Sequence, residues 1–302
     1  MSVADTPAPA RDLRGVGFVL LAGVLWSTVG LGIRLIEDAQ VWQILFYRSF
    51  SLSLLLWCVI RWRTGASPLR QAIAAGPSAI IGAISLVAAY TGGIYAIQTT
   101  SVAQAMLLFA SAPFMAAILG RLVLHEHVRW QTWVAIALAL IGILVMVRET
   151  SGATVWAGNL AALGSALGFA VFTVTLRWNR TVETLPTVYL SGLFAIVVMG
   201  LICLLLELPM TLSLRDTSIS LSMGFFQVGA GLVFYTLGSK TVPAVELTLL
   251  SLAEVVLAPL WVWIALGEVP TMNTVLGGSV LLAAITFNAL GGIRRKPVVL
   301  PK

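Results

Sequence analysis

Gly120-Arg121-Leu122-Val123-Leu124-His125-Glu126 closes an apolar run that begins at Ser101, and Trp263-Ile264-Ala265-Leu266-Gly267-Glu268 closes a matching run from Pro243. The two acids stand 142 positions apart, almost half of a 302-residue chain. The same shift, give or take one residue, lays Trp26-to-Arg34 over Phe169-to-Arg177 and Gly82 over Gly224. Each half then holds five hydrophobic segments. An odd number of spans forces the second half to enter a membrane upside down, and inverted repeats of this kind mark secondary transporters.

The composition agrees. The chain is 59% hydrophobic and 10% charged, with mean hydropathy +0.99. A soluble domain carries roughly 25% charged residues, so this one has too few to solvate its surface. A spanning helix needs about 20 mostly apolar residues. Ten segments qualify, near 15–35, 41–60, 72–97, 101–124, 130–148, 156–177, 187–206, 217–239, 243–266 and 271–291, the third with an interfacial turn before Pro77. The expected fold is an all-α membrane protein: ten transmembrane helices as two inverted five-helix repeats around a central cavity. Residues 1–14 read as a disordered cytoplasmic tail, 15–148 as the first repeat, 156–291 as the second, and 292–302 as a basic cytoplasmic tail. Arg11 and Arg14 precede an apolar segment without a small-residue cleavage site, which reads as a retained signal-anchor.

Charge orients the chain. With a cytoplasmic N-terminus, only Arg34, Arg148 and Arg215 of the 18 basic residues fall outside, and Arg48 falls within a span. The remaining fourteen lie inside, so both termini are expected in the cytoplasm. The net charge of +6 therefore belongs to membrane flanks rather than to nucleic-acid binding. Cys58 and Cys203 both sit in apolar runs, which excludes a disulfide framework or a zinc site. His125 and His127 diverge on a helix, so no metal site is expected. HExxH, Gly-x-Ser-x-Gly and phosphate-loop motifs are absent, so neither an enzyme nor a cofactor is expected. No ATP-binding domain or ATPase subunit is evident. A receptor or structural role stays open on sequence alone, but leaves charge inside the spans unexplained.

A transport site belongs near the midplane between repeats, where polar groups are costly unless used. Glu254 lies about eleven residues into the ninth span. Two roles stay open for it: a substrate or proton site, or a buried partner for a cation. Arg48, seven residues below one end of the second span, is the one opposite charge at comparable depth, so an Arg48–Glu254 ion pair or a shared cavity is expected. Tyr90 and Gln98 share a helix face, as do Gln227, Gly231 and Tyr235 in the repeat-related helix. Trp26 and Ser27 have Phe169 as their repeat equivalent. An aromatic wall with few hydrogen-bonding groups suits a neutral, partly apolar ligand. The same stripes also suit plain packing. Gly164 with Gly168, and Gly23 with Ser27, are small residues four apart and mark close helix contacts. Pro113 and Pro259 interrupt the fourth and ninth spans.

Ten spans in two halves, each with an acid closing its fourth helix, resemble the EamA family of the drug/metabolite transporter superfamily, over about residues 15 to 291. Val24-Leu25-Trp26-Ser27-Thr28 and Gly30-Leu31-Gly32-Ile33-Arg34 look like the opening of bacterial YddG-type aromatic amino-acid exporters. The resemblance implies a basket of ten helices in the bacterial cytoplasmic (inner) membrane. It implies Glu126 and Glu268 as structural helix-end acids. Where the family often reads Glu-Pro, this chain has Glu254-Val255. Pro113 matches, but Ala110, Ser111 and Ala112 replace aromatic residues. The expected function is secondary export of small neutral metabolites, amino acids with aromatic ones favoured, by alternating access. The alternative is export of another small metabolite or a cationic drug. Trp26, Ser27, Tyr90, Gln98, Phe169, Gln227, Tyr235 and Glu254 are the expected substrate-binding residues, and Arg48 with Glu254 the ion-pair or coupling residues.

Overall fold

The computed structural model describes residues 13–148, 152–179 and 183–291, so both tails read from the sequence lie largely outside the described residues. Among the described residues, ten helices are long and apolar enough to cross a membrane: Leu13–Arg34, Val41–Thr64, Pro77–Thr99, Val102–Leu124, Trp130–Val147, Ala153–Trp178, Thr184–Leu205, Leu214–Gly238, Leu249–Leu266 and Met272–Leu290. The ninth helix itself begins earlier and covers Ala244–Leu266. The third span starts at Pro77, not near residue 72. A separate short helix, Pro68–Ala74, precedes it. The cause is local: Gly76 takes a φ of 73°, which breaks the helix, and Pro77 restarts it.

Short connections make successive spans antiparallel, so Leu13 and Gly291 lie at one end of the bundle. The opposite end, carrying the connections 35–40 and 206–213, is called distal below.

The packing is interleaved. The first span packs against the eighth and ninth, and the sixth packs against the third and fourth. The second pairs with the seventh and the fifth with the tenth. Every one of these pairs joins one sequence half to the other, so the halves are not two bodies set side by side. The result is two triads, one centred on the first span and one on the sixth, flanked by the two crossing pairs.

Small residues permit these approaches. A methyl group at Gly168 would sit 2.7 Å from the Ser85 carbonyl oxygen, and one at Gly142 would sit 2.6 Å from that of Gly277. Gly168 thus makes the expected close helix contact, and its partner is the third span. Gly164 does not: nothing lies within 4 Å of a methyl group there. It borders an apolar groove of about 380 Å³ with Met115, Ile118, Leu119, Leu163 and Leu167, which holds none of the expected site residues.

Three spans are discontinuous. The first breaks after Ser27, and the fourth breaks at Ala110–Ser111, just before Pro113. The eighth widens into a π-helix over Met223–Ala230. Pro259, by contrast, lies within a continuous helix. Such irregular backbone is tolerated at membrane depth only where protein or a water-filled space satisfies it.

Candidate functional site

The first triad gathers five polar or aromatic groups. The Trp26 and Tyr235 rings lie 5.2 Å apart. Gly231 makes this possible, because a side chain there would overlap the Trp26 indole. Tyr235 lies beside Ser251 and Glu254 of the ninth span. Gln227 donates Nε2 to the Trp26 carbonyl at 3.4 Å, while its Oε1 is buried without a partner. The face 227–231–235 read from the sequence is therefore a real contact surface against the first span. The π-helix supplies its position: the Ser51 hydroxyl donates to Leu221 O at 2.7 Å, just before the widened turns. Inserted groups of this kind disturb a helical ladder, and π-bulges recur at functional sites.

Ser27 is fully buried and already committed. It donates to Val24 O at 2.7 Å and accepts from Trp261 Nε1 at 2.8 Å. Its role in this conformation is to hold Trp261. Gln98 is also occupied, donating to Ala39 O at 3.2 Å at the distal end.

The second triad carries Tyr90 and Phe169. Phe169 lies 5.6 Å from Phe109 and 5.9 Å from Phe172, ring centre to ring centre, and belongs to this separate aromatic group.

Arg48 and Glu254 do not pair. Among the described residues, no ion pair joins them. The second and ninth helices share no extensive interface. The Arg48 guanidinium instead lies over the Tyr90 ring, 4.6 Å from its centre. The side chain is 5% exposed, and its Nε has no hydrogen-bond partner. Burying an ion without a counter-charge costs several kcal/mol. A desolvated cation–π contact returns about 2 kcal/mol. The ring therefore offsets only part of the cost. Glu254 keeps partial exposure despite lying mid-helix.

Glu126 and Glu268 each meet an arginine from the other sequence half. Glu268 accepts Arg34 Nε at 2.8 Å and Nη2 at 3.3 Å, and its Oε1 also accepts the Val102 N–H at 2.8 Å. Arg34 Nη2 further donates to Thr100 O at 2.8 Å. This cluster, at the distal end, ties the first triad to the third and fourth spans of the second. Glu126 accepts Arg177 Nη1 at 2.7 Å, and Arg177 Nη2 donates to Ala116 O at 3.0 Å. That pair joins the fourth and sixth spans, within one triad.

Several structural polar groups escaped the sequence reading. Asp216 is fully buried and accepts the N–H groups of Glu37, Asp38 and Ala39 at 3.0–3.1 Å, pinning the distal loop. The signal was present: Ser213 caps the Asp216 N–H, a Ser-x-x-Asp start that places the helix three residues before 217. Gln104 donates to Asn159 at 2.8 Å, and Thr274 lies 3.5 Å from Gln104, linking the fourth, sixth and tenth spans. Amides within apolar runs were the cue.

Comparison with known proteins places this geometry. A model of the EamA-like transporter family matches residues 13–148 and 156–290. The chain belongs to that family. This EamA-like protein is 27% identical to human solute carrier family 35 member G1, over 95% of its own length and 81% of the relative's. It is 25% identical to the pseudopaline exporter CntI of Pseudomonas aeruginosa, over 88% and 93%. A transporter of Bacillus subtilis, YdfC, is 27% identical over 64% of each chain. A solved crystal structure shares the fold, with a TM-score of 0.66 at 19% identity and coverage of 94% and 98%. The chain is a multi-pass membrane protein of a transporter family, not of an enzyme family.

Proposed function

We propose that this protein is a secondary exporter of small neutral metabolites, most of all amino acids with aromatic side chains, working by alternating access in a bacterial cytoplasmic membrane with both termini inside. One observation carries the reading: Trp26, Tyr235 and Glu254 stand together on the first triad, while Tyr90 and Phe169 belong to the second. A cavity between the triads takes the substrate side chain against Trp26, Tyr235 and Tyr90. Gln227 offers its unpartnered Oε1, and Glu254 takes an ammonium or a proton. The broken first, fourth and eighth spans support a site at that level, as discontinuous helices do in other transporters. The repeat is read as inverted, and the matching partners of the first and sixth spans support it. The name of the Pseudomonas relative, an exporter, supports the direction.

The distal cluster of Arg34, Glu268, Thr100 and Val102 acts as the gate on the outer side. Opening that side parts the triads there, so those bonds must break. Because the sequence halves are interleaved, the moving bodies are the triads and not the halves.

A second reading, export of an organic cation, draws on Glu254 beside the Tyr235 ring. Purified protein in liposomes separates the two. Saturable counterflow of tryptophan and phenylalanine, reduced by Trp26→Ala, is the expected result. Flux of a quaternary ammonium alone, lost in Glu254→Gln, transfers the assignment to the cation. No flux of either class sinks both.

A further inference from the structure

Arg48 is a charged group inside a span whose chemistry the proposed function leaves unused. Its backbone carbonyl is pressed against Gly224 of the eighth span, where a side chain would collide with it. Its guanidinium crosses to Tyr90 of the third span. The residue thus bridges from the first triad's eighth span to the second triad's third. The fork is 5% exposed, with an orphaned Nε. No carboxylate is paired with it among the described residues. Burying a permanent charge with no paired carboxylate carries a large desolvation cost. The Tyr90 ring lies over one face of the fork, and Nε is left without a protein partner.

We propose that Arg48 binds the carboxylate of the substrate, so that the transported class is carboxylate-bearing and the ammonium is dispensable. The inference rests on the exporter reading and adds to it the group the protein recognises. A guanidinium edge matches a carboxylate through two parallel N–H···O bonds, and lysine cannot reproduce that geometry. Glu254 has a different task. Counted along its helix, it lies about 18 Å from the distal end, against about 10 Å for Arg48, at 1.5 Å per residue. The two charges therefore read different groups, and loss of the amine leaves the Arg48 contact in place.

The test uses full-length protein in detergent, with thermal melting as a binding readout, beside counterflow in liposomes. The ligands are phenylalanine, 3-phenylpropionate, phenethylamine and chloride. Phenylalanine and phenylpropionate raise the melting temperature of the native protein, and phenethylamine and chloride do not. Arg48→Met, with an apolar side chain of similar reach, melts higher than native without ligand and gives no carboxylate shift. The gain is expected because removing an unpaired buried charge relieves its desolvation. Arg48→Lys retains a reduced shift, with affinity for both carboxylates lowered by about 10- to 100-fold, as for loss of one of two charged hydrogen bonds.

Four results overturn the proposal. A lower melting temperature than native in Arg48→Met, with the carboxylate shift kept, makes the guanidinium structural. Stabilisation by phenethylamine alone reverses the charge rule. Stabilisation by chloride alone makes the occupant an inorganic anion. Carboxylate counterflow with an unchanged KM in Arg48→Met removes this inference and leaves the exporter standing. Conversely, an Arg48-dependent carboxylate shift without any flux keeps the binding site and removes the exporter.

Discussion

Replacing Glu268 by glutamine tests the distal gate directly. The carboxylate receives two hydrogen bonds from Arg34 and one from the Val102 N–H, and both side chains of the ion pair are 26% exposed. A glutamine oxygen can keep the Val102 bond. Its NH₂ group then faces the Arg34 donors, and the charge is gone. Hydrogen bonds to charged groups contribute about 1.5–3 kcal/mol each when buried. Partial exposure reduces that, as surface pairs fall to about 1 kcal/mol or less. The loss is therefore about 1.5 kcal/mol for the cluster. Each 1.4 kcal/mol is tenfold in an equilibrium, so the distal-open population rises about tenfold. The assay is labelling of Ser251→Cys by a membrane-impermeant maleimide added from the distal side, with Cys58 and Cys203 replaced by serine. The rate rises about tenfold in Glu268→Gln. It does not rise in Glu126→Gln, whose partner Arg177 lies within one triad. Equal acceleration in both variants, or none in either, refutes the assignment of the gate to the cross-triad cluster.

Other outcomes follow from the same contacts. Asp216→Ala strands three backbone donors of the 37–39 loop and lowers stability by about 2–3 kcal/mol, read as a drop in melting temperature; an unchanged melt shows that the loop is held otherwise. Gly224→Ala forces a methyl group onto the Arg48 carbonyl and the Ser51 hydroxyl and costs about 1–3 kcal/mol, whereas Gly164→Ala, in open space, stays within about 0.5 kcal/mol; equal effects contradict the packing. Trp26→Ala raises the KM for tryptophan about tenfold, the worth of one lost aromatic contact, and that for threonine less; parallel increases for both substrates exclude a ring contact.

The span count was legible because hydropathy reports the bilayer solvent directly, and the helix ends moved by only a few residues. The Glu126 and Glu268 turns were also legible, as was the shared face of Gln227, Gly231 and Tyr235, whereas the packing of Trp26 onto that face was not. What the sequence could not show was which helix each residue faced. The sequence put Arg48 and Glu254 within about one helical turn of each other in depth, and depth alone made them partners. Depth is one coordinate, and rotation about the helix axis and the identity of the neighbour supply the other two. Ser27 and Gln98 illustrate the same gap. Their hydroxyl and amide looked free because their acceptors, Val24 O and Ala39 O, are backbone groups that sequence does not display. The interleaving of the halves was hidden for a further reason. A repeat announces that two segments are alike, and it says nothing about whether each packs with itself or with its twin.

The fifth and tenth helices meet backbone to backbone at Gly142 and Gly277, each carbonyl facing the space where the other residue's side chain would be. Two main chains in direct touch have no rotamers to adjust. A few tenths of an ångström of separation forfeits much of their dispersion contact, and nothing can swing in to fill the gap. This seam therefore behaves as a fulcrum. Displacement grows with distance from it, so small tilts there become larger excursions toward the opposite flank, where the second and seventh helices pair. A lever needs one stiff point, and two residues without side chains provide it.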